Sequence, residues 1–181
     1  MRTLTIAPPD KQQDLIYLAP VFNCKDNASA RNAYGMAAQE IVWNTLRLNP
    51  IRINGNFDCC FDAEKDGVYY EIKSVKTTGK IVIYDWRMLK EARSSVKLKY
   101  AILLHTLKGC RDNILFHMQE CRPRIVLLDY KVMHKIAQAF PLRVYKKTAK
   151  RNGYNRKGYV DGYRNVPVAE LFKHPHQIVY T

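Results

Sequence analysis

Residues 57–75 read FDCCFDAEKDGVYYEIKSV, two runs of alternating polar and apolar side chains joined by Asp66-Gly67. Alternation with a period of two is typical of a β-strand that has one face on a core. Asp-Gly favours a tight turn between antiparallel strands, because both residues tolerate a positive φ. The stretch therefore predicts a β-hairpin, and with it a sheet at the centre of the protein.

Two registers fit this hairpin, because either four or two residues can form its loop. A loop of Glu64–Gly67 places Asp58 opposite Lys73, whereas a two-residue turn places Asp62 opposite Glu71. In both registers, strand alternation puts the same polar side chains on one face of the hairpin. These side chains are Asp58, Cys60, Asp62, Glu71 and Lys73. The opposite face is aromatic and apolar, so we expect it to cover the core.

This polar face has the composition of a cation site. Carboxylates on neighbouring strands supply the hard oxygen ligands that suit Mg²⁺. A lysine two residues from such a ligand can contact an attacking water and the charge that develops on a phosphate. Cross-strand ion pairing in open water is the alternative, and it contributes little stability. Apolar strands later in the chain imply a sheet covered on both faces, so we expect the charges to line a cleft.

The spacing of these charges also resembles a known nuclease motif. Asp58 followed, after twelve residues, by Glu71-Ile72-Lys73 is similar to the PD-(D/E)xK motif of the restriction-endonuclease-like superfamily, with Phe57 at the position of the namesake proline. The resemblance implies that Asp58 and Glu71 bind Mg²⁺, which Mn²⁺ can replace, and that Lys73 assists the hydrolytic water. Asp62 is the alternative metal ligand, because two aspartates precede the turn.

A helix precedes the hairpin and carries a glutamate near its apolar stripe. Alanine and isoleucine residues recur at helical spacing between Asp26 and Leu48, and Glu40 lies at the rim of their stripe. The segment resembles the N-terminal helix of the superfamily, whose acidic residue reaches the metals. The resemblance implies that Glu40 is an auxiliary catalytic residue, whereas an exposed helical glutamate is the structural alternative.

The resemblance extends beyond the motif to PvuII-type restriction endonucleases over roughly residues 54–180. It is carried by GNFDCCFD, YYEIKS, YAILLHTLKG, RIVLLDYKVMHKI and the ending DGYRNVPVAELFKHPHQIVY. The resemblance implies a homodimer in which each subunit cuts one strand of a DNA site. Where that group has a run of histidines that reads the site, this chain has Tyr84-Asp85-Trp86-Arg87. Its target sequence can therefore differ and need not be a palindrome.

The chain of 181 residues is most economically one domain. We predict a single nuclease domain over residues 1–181, of the α/β (α+β) class, with a restriction-endonuclease-like core and a mixed central β-sheet flanked by helices. Residues 1–24 are interrupted by prolines, and we expect them to form an N-terminal arm or a dimerisation segment. Beyond the hairpin, the predicted strands are Lys80–Tyr84, Lys99–Leu107, Ile114–Met118 and Arg124–Asp129, and the predicted helices are Asp85–Ser95, Tyr130–Phe140 and Val168–Phe172.

The charge balance favours a polyanionic partner. The chain has 30 Lys and Arg against 16 Asp and Glu, a net charge of +14. Such an excess promotes binding to nucleic acid through release of counterions, and we expect double-stranded DNA. Residues 143–165 combine cations with tyrosines and glycines, which predicts a basic DNA-contacting loop. Candidate DNA-binding residues are Arg87, Lys146, Lys147, Lys150, Arg151, Asn155, Arg156, Lys157, Arg164 and Asn165.

Other features exclude several classes of protein. Five cysteines, an odd number with no CxxC pair, indicate reduced thiols rather than a disulfide framework. The spacing of His105, Cys110, His117 and Cys121 fits no common zinc pattern. The N-terminal residues lack a signal-peptide core and no run is long enough to span a bilayer, so we expect a cytoplasmic protein with no membrane association.

Two alternative functions fit the same residues. A Holliday-junction resolvase or a homing endonuclease would keep the core and the chemistry but act on a different DNA substrate. A basic nucleic-acid-binding module without enzymatic activity would use the acidic hairpin only as structure. The function that the sequence favours over these alternatives is that of a Mg²⁺-dependent, site-specific endonuclease of a restriction system.

Overall fold

The computed structural model describes residues 27–51, 61–107, 114–144 and 162–181. Asp58 and Cys60, the N-terminal arm and residues 145–161 of the basic stretch lie outside these ranges. The helices are α1 (Asn27–Leu46), α2 (Asp85–Arg93), α3 (Ile114–Glu120), α4 (Tyr130–Gln138) and α5 (Val168–Leu171). The strands are β1 (Asn49–Pro50), β2 (Ala63–Lys65), β3 (Val68–Lys76), β4 (Lys80–Tyr84), β5 (Lys97–His105), β6 (Arg124–Asp129), β7 (Arg143–Val144), β8 (Gly162–Pro167) and β9 (Gln177–Tyr180).

The strands form two sheets. The larger has six strands in the order β1-β2-β3-β5-β6-β9, and the smaller has three in the order β4-β8-β7. In the larger sheet β3 and β5 are parallel, and the other neighbouring pairs are antiparallel. The predicted α/β class with a mixed sheet and flanking helices is therefore confirmed. Among the described helices, none has the length and apolar character needed to cross a membrane.

The larger sheet is covered on both faces, which explains the continuous apolar run in β5. Ala101 and Leu103 pack in one core cluster together with residues of α1 and α3. Tyr100 and Ile102 pack in a second cluster together with residues of α2, α4 and the smaller sheet. A strand between two covered faces needs apolar side chains at successive positions, because both sets are removed from water.

The hairpin adopts the two-residue turn. Lys65 pairs with Val68 and Ala63 with Tyr70, which leaves only Asp66-Gly67 in the turn. Both turn residues have a positive φ, 52° for Asp66 and 73° for Gly67, as a type I′ turn requires. The register with a four-residue loop is therefore wrong, because the Asp-Gly pair can form the turn that matches the twist of the two strands.

The prediction of a strand at Ile114–Met118 is wrong, because this segment is the helix α3. Ile114 and Met118 are fully buried, whereas Phe116 is 57% exposed. In a strand these three side chains would share one face, whereas a helix puts positions i and i+4 together and turns i+2 away. Five residues are too few for the two periods to be told apart with confidence from sequence.

Two smaller predictions also need correction. The helix predicted at Asp85–Ser95 begins at Asp85 and ends at Arg93. The basic stretch at residues 143–165 was predicted as a loop, but its described ends are strands, Arg143–Val144 and Gly162–Pro167. Arg143 pairs with Tyr163 and Val144 with Gly162, so the residues at the two ends of the intervening segment lie side by side.

Candidate active site

Glu71 is a charged side chain on the central part of the larger sheet. It lies on β3, pairs in register with Tyr100 of β5, and is only 1% exposed. Its Oε1 lies 2.5 Å from the Lys73 Nζ, and its Oε2 accepts a hydrogen bond from the Arg87 guanidinium. A buried carboxylate needs such partners, because removal from water without them is unfavourable.

Asp62 is held beside Glu71 by contacts with two other elements. Its Oδ1 accepts from the Gln39 Nε2 at 3.1 Å, and its Oδ2 accepts from the Ile72 backbone N–H at 2.7 Å. These bonds tie the start of β2 to α1 and to β3. The structure therefore brings together three residues predicted from sequence, Asp62, Glu71 and Lys73, whereas Asp58 lies outside the described residues.

Glu71 has a raised pKa in spite of its two cationic partners. Burial and, to a smaller extent, the charge of Asp62 together raise this pKa from its ordinary 4.5 to about 7, against the opposing effects of Lys73 and Arg87. A divalent cation between the two carboxylates would stabilise their charged forms, because it supplies two positive charges at short range.

The donor set fits a hard divalent cation. Asp62 and Glu71 provide carboxylate oxygens from neighbouring strands, and Mg²⁺ is commonly held by one or two carboxylates with waters and substrate phosphates completing the shell. Among the described residues, no group of three His, Cys, Asp or Glu side chains is arranged to hold a metal. Asp58, which lies outside the described residues, is the further carboxylate that the sequence motif names.

Arg87 connects this site to a second buried carboxylate. Its Nε lies 3.4 Å from the Glu91 Oε1, one turn further along α2. Burial acts to lower the pKa of Arg87, but the carboxylates of Glu71, Asp62 and Glu91 outweigh burial and the pKa is raised. The guanidinium is therefore a permanent positive charge between two glutamates, and it extends from α2 to β3.

Glu91 is fixed by donors from two further elements. The Tyr100 hydroxyl lies 2.9 Å from its Oε1 and 2.7 Å from its Oε2, and the His134 Nε2 lies 2.6 Å from its Oε2. Sequence reasoning missed all three residues. The i, i+4 spacing of Arg87 and Glu91 was a readable signal, but Tyr100 and His134 come from β5 and α4, and no local pattern joins them.

Glu40 is buried, at 6% exposed, so it does not lie on the solvated side of α1. Its Oε1 accepts from the Asn44 Nδ2 at 2.8 Å. Among the contacts of the described residues, none joins Glu40 to Asp62 or Glu71, although the adjacent Gln39 does contact Asp62. Its role as an auxiliary metal ligand stays a prediction.

Three of the candidate DNA-binding residues are described. Arg164, on β8, donates from Nη1 to the Phe140 carbonyl at 2.5 Å and lies 3.5 Å from Asp85 at the start of α2. Asn165 follows it on β8 opposite Val82, and Arg87 contacts Glu71 as above. The other candidates lie outside the described residues: Lys146, Lys147, Lys150, Arg151, Asn155, Arg156 and Lys157. The ion pair between Arg164 and Asp85 joins β8, at one end of the basic segment, to the helix that carries Arg87.

No protein-family model, curated protein or solved structure matches the chain. The interpretation of the site therefore depends on its own geometry and charge.

Proposed function

We propose that the protein is a Mg²⁺-dependent endonuclease that hydrolyses phosphodiester bonds of double-stranded DNA at specific sites, on a restriction-endonuclease-like core. The observation that carries the proposal is the buried Glu71, which has Lys73 at 2.5 Å on the same face of β3 and a raised pKa to which Asp62 contributes. A buried acidic pair with an adjacent ammonium suits metal-assisted hydrolysis of a phosphate ester.

Each residue then has a defined task. Glu71 and Asp62, with Asp58 as the further candidate, would hold Mg²⁺. When bound, the metal supplies charge neutralisation at the scissile phosphate and a more acidic bound water. Lys73 would orient the attacking water and stabilise the negative charge that grows on the phosphate oxygens. Gln39 would keep the Asp62 carboxylate in place, since it already donates to Oδ1.

The charge distribution supports DNA as the substrate. The net charge of +14 favours binding to a polyanion. The basic segment between 145 and 161 joins the paired strands β7 and β8, and β8 contacts the start of α2 through the ion pair of Arg164 with Asp85. We propose that this segment contacts the DNA backbone near the acidic pair. A homodimer would supply two such sites, one for each strand.

Plasmid cleavage tests the proposal. Wild-type protein is incubated with supercoiled plasmid in Mg²⁺ and in EDTA, beside Glu71→Gln and Lys73→Met. We expect cutting only in Mg²⁺, and a loss on the order of 10³-fold in both variants with DNA binding retained, because binding energy and chemistry reside in different groups. Lys76→Met is the matched control, because Lys76 is an exposed lysine on the same strand. Undiminished cutting by both site variants would contradict the proposal.

The choice of substrate separates the nuclease hypotheses. Discrete bands from linear plasmid, with sequenced ends that share one motif, would indicate a site-specific enzyme. Selective cutting of four-way junctions would instead indicate a junction resolvase that uses the same residues.

A non-enzymatic function is the second candidate, and one observation favours it. Each oxygen of Asp62 and Glu71 already has a protein donor or cation as partner. The cluster could therefore serve only to hold β2, β3 and α2 together in a basic nucleic-acid-binding module. This alternative predicts DNA binding that is independent of Mg²⁺ and no cleavage in any metal.

A further inference from the structure

We propose that Arg87 is a displaceable counter-ion of the metal site. In the metal-free protein Arg87 pairs with Glu71, and it moves to Glu91 when a divalent cation binds. The inference rests on the proposed function, because it assumes that Glu71 is a metal ligand. It gives a function to Glu91, the second buried glutamate, which has no part in the proposed catalysis.

The first step is that Arg87 and a metal use the same carboxylate. The Arg87 guanidinium donates to the Glu71 Oε2, so it occupies the hydrogen-bonding position at that oxygen. A divalent cation on the same oxygen would repel a guanidinium at hydrogen-bond distance. Arg87 must then leave Glu71 for the metal to bind there.

The second step is that Lys73 need not leave. Lys73 and Glu71 are on one strand and share a face, and the Lys73 ammonium contacts the other oxygen, Oε1. Its four-carbon stem lets the ammonium move along the face without any change in the backbone. Arg87, by contrast, reaches Glu71 from α2, so its contact crosses between two elements.

The third step is that Arg87 already has a second acceptor. Its Nε lies 3.4 Å from the Glu91 Oε1, longer than a good hydrogen bond, so there is room to shorten this contact. Glu91 itself is held by the Tyr100 hydroxyl and the His134 imidazole, and is fully buried. A fixed carboxylate of this kind gives the displaced guanidinium a defined new position.

Metal affinity in the absence of DNA tests the inference directly. Titration of the protein with Mn²⁺ by calorimetry is compared for wild type and Arg87→Met, which keeps the bulk of the side chain and removes its charge. We expect affinity to rise about tenfold or more in the variant, because the metal no longer competes with a contacting guanidinium. Arg124→Met is the control, since it makes the same change of side chain on β6, where Arg124 lies opposite Leu104 whereas Glu71 lies opposite Tyr100, and its Mn²⁺ affinity should equal that of wild type.

A double-mutant cycle separates displacement from a general effect of charge. Glu91→Gln removes the negative charge of the second acceptor, so we expect Arg87 to bind Glu71 more tightly and Mn²⁺ to bind several-fold more weakly. In the Arg87→Met background the same change should have little effect. An equal loss of affinity in both backgrounds would indicate only long-range charge and would overturn the inference.

The outcomes distinguish this inference from the function on which it rests. If wild type binds Mn²⁺ and Arg87→Met binds it no more tightly, the counter-ion assignment is wrong and the nuclease proposal stands. If neither protein binds Mn²⁺ and neither cuts plasmid, the proposed function fails and the counter-ion assignment fails with it. Thermal denaturation confirms that each variant is folded, and Arg87→Gln replaces Arg87→Met if the latter does not fold.

Discussion

Two buried glutamates lie on either side of one guanidinium, and their other partners differ. Glu71 and Glu91 are each 1% exposed and each contact Arg87. Glu91 is enclosed by a hydroxyl and an imidazole from β5 and α4, whereas Glu71 has a second carboxylate, Asp62, close enough to raise its pKa. Burial alone therefore does not identify a functional carboxylate. We propose that the second carboxylate distinguishes Glu71, because two adjacent carboxylates favour a divalent cation.

The largest expected difference between the two glutamates is in catalysis. At saturating Mg²⁺, Glu71→Gln should reduce plasmid cleavage on the order of 10³-fold, and Glu91→Gln should stay within about tenfold of wild type, because only Glu71 would contact the metal. Single-turnover cleavage rates measure both. Equal losses in the two variants would remove the distinction between a ligand and a structural carboxylate.

For stability we expect the larger effect at Glu91 rather than at Glu71. Glu91→Ala should lower the free energy of unfolding by about 3–5 kcal/mol, because it leaves two buried polar groups without an acceptor and removes one of the two carboxylate partners of a buried cation. Urea denaturation at neutral pH measures the loss. Glu120→Ala serves as the control, since that side chain is 57% exposed, and its effect should stay within about 0.5 kcal/mol. A loss of that small size for Glu91→Ala would show that the cluster around it is not structural.

The pH dependence of stability reports on Glu71 without any assay of function. The pKa of Glu71 is about 7 in the folded protein against an ordinary 4.5, so the folded state binds this proton more tightly than the unfolded state. In metal-free buffer, the stabilisation from the protonated form is present below pH 4.5 and is lost as pH rises to about 7. The loss amounts to roughly 3 kcal/mol. Glu71→Gln, which cannot ionise, should not show this part of the pH dependence in urea denaturation.

The smallest expected effect concerns Asp62, the carboxylate that lies beside Glu71 but not beside Glu91. Asp62→Asn removes the charge that raises the pKa of Glu71, so the midpoint of the pH-dependent loss of stability should move to lower pH. Comparison of denaturation curves across pH for wild type and Asp62→Asn measures the shift. An unchanged midpoint would mean that Asp62 does not act on Glu71, and would favour Asp58 as the partner carboxylate.

Local patterns in the sequence predicted the elements that depend on local chemistry. The Asp66-Gly67 turn, the strand Arg124–Asp129 and the helix beginning at Tyr130 follow from turn preference and periodicity, and all three are present. The error at Ile114–Met118 arose because a short apolar run fits both periods. Which of its side chains is buried depends on what packs against it, and that information is not local.

The candidate site was predictable only in part, for the same reason. Glu71 and Lys73 share a face by strand alternation, so sequence placed them together, and the register of the turn then placed Asp62 with them. The contact of Arg87 with Glu71 depends on how α2 packs on β3. The positions of Tyr100 and His134 around Glu91 require three elements to be assembled, and no spacing in the sequence encodes that arrangement.

The most direct test of the account is a crystal of the protein grown with Mn²⁺ and examined by anomalous diffraction. The account predicts a peak within coordination distance of carboxylate oxygens of both Asp62 and Glu71, with the Arg87 guanidinium turned toward Glu91. A site without an anomalous peak, with Arg87 still bonded to Glu71 at millimolar Mn²⁺, would contradict the claim that this buried acidic pair is a metal centre.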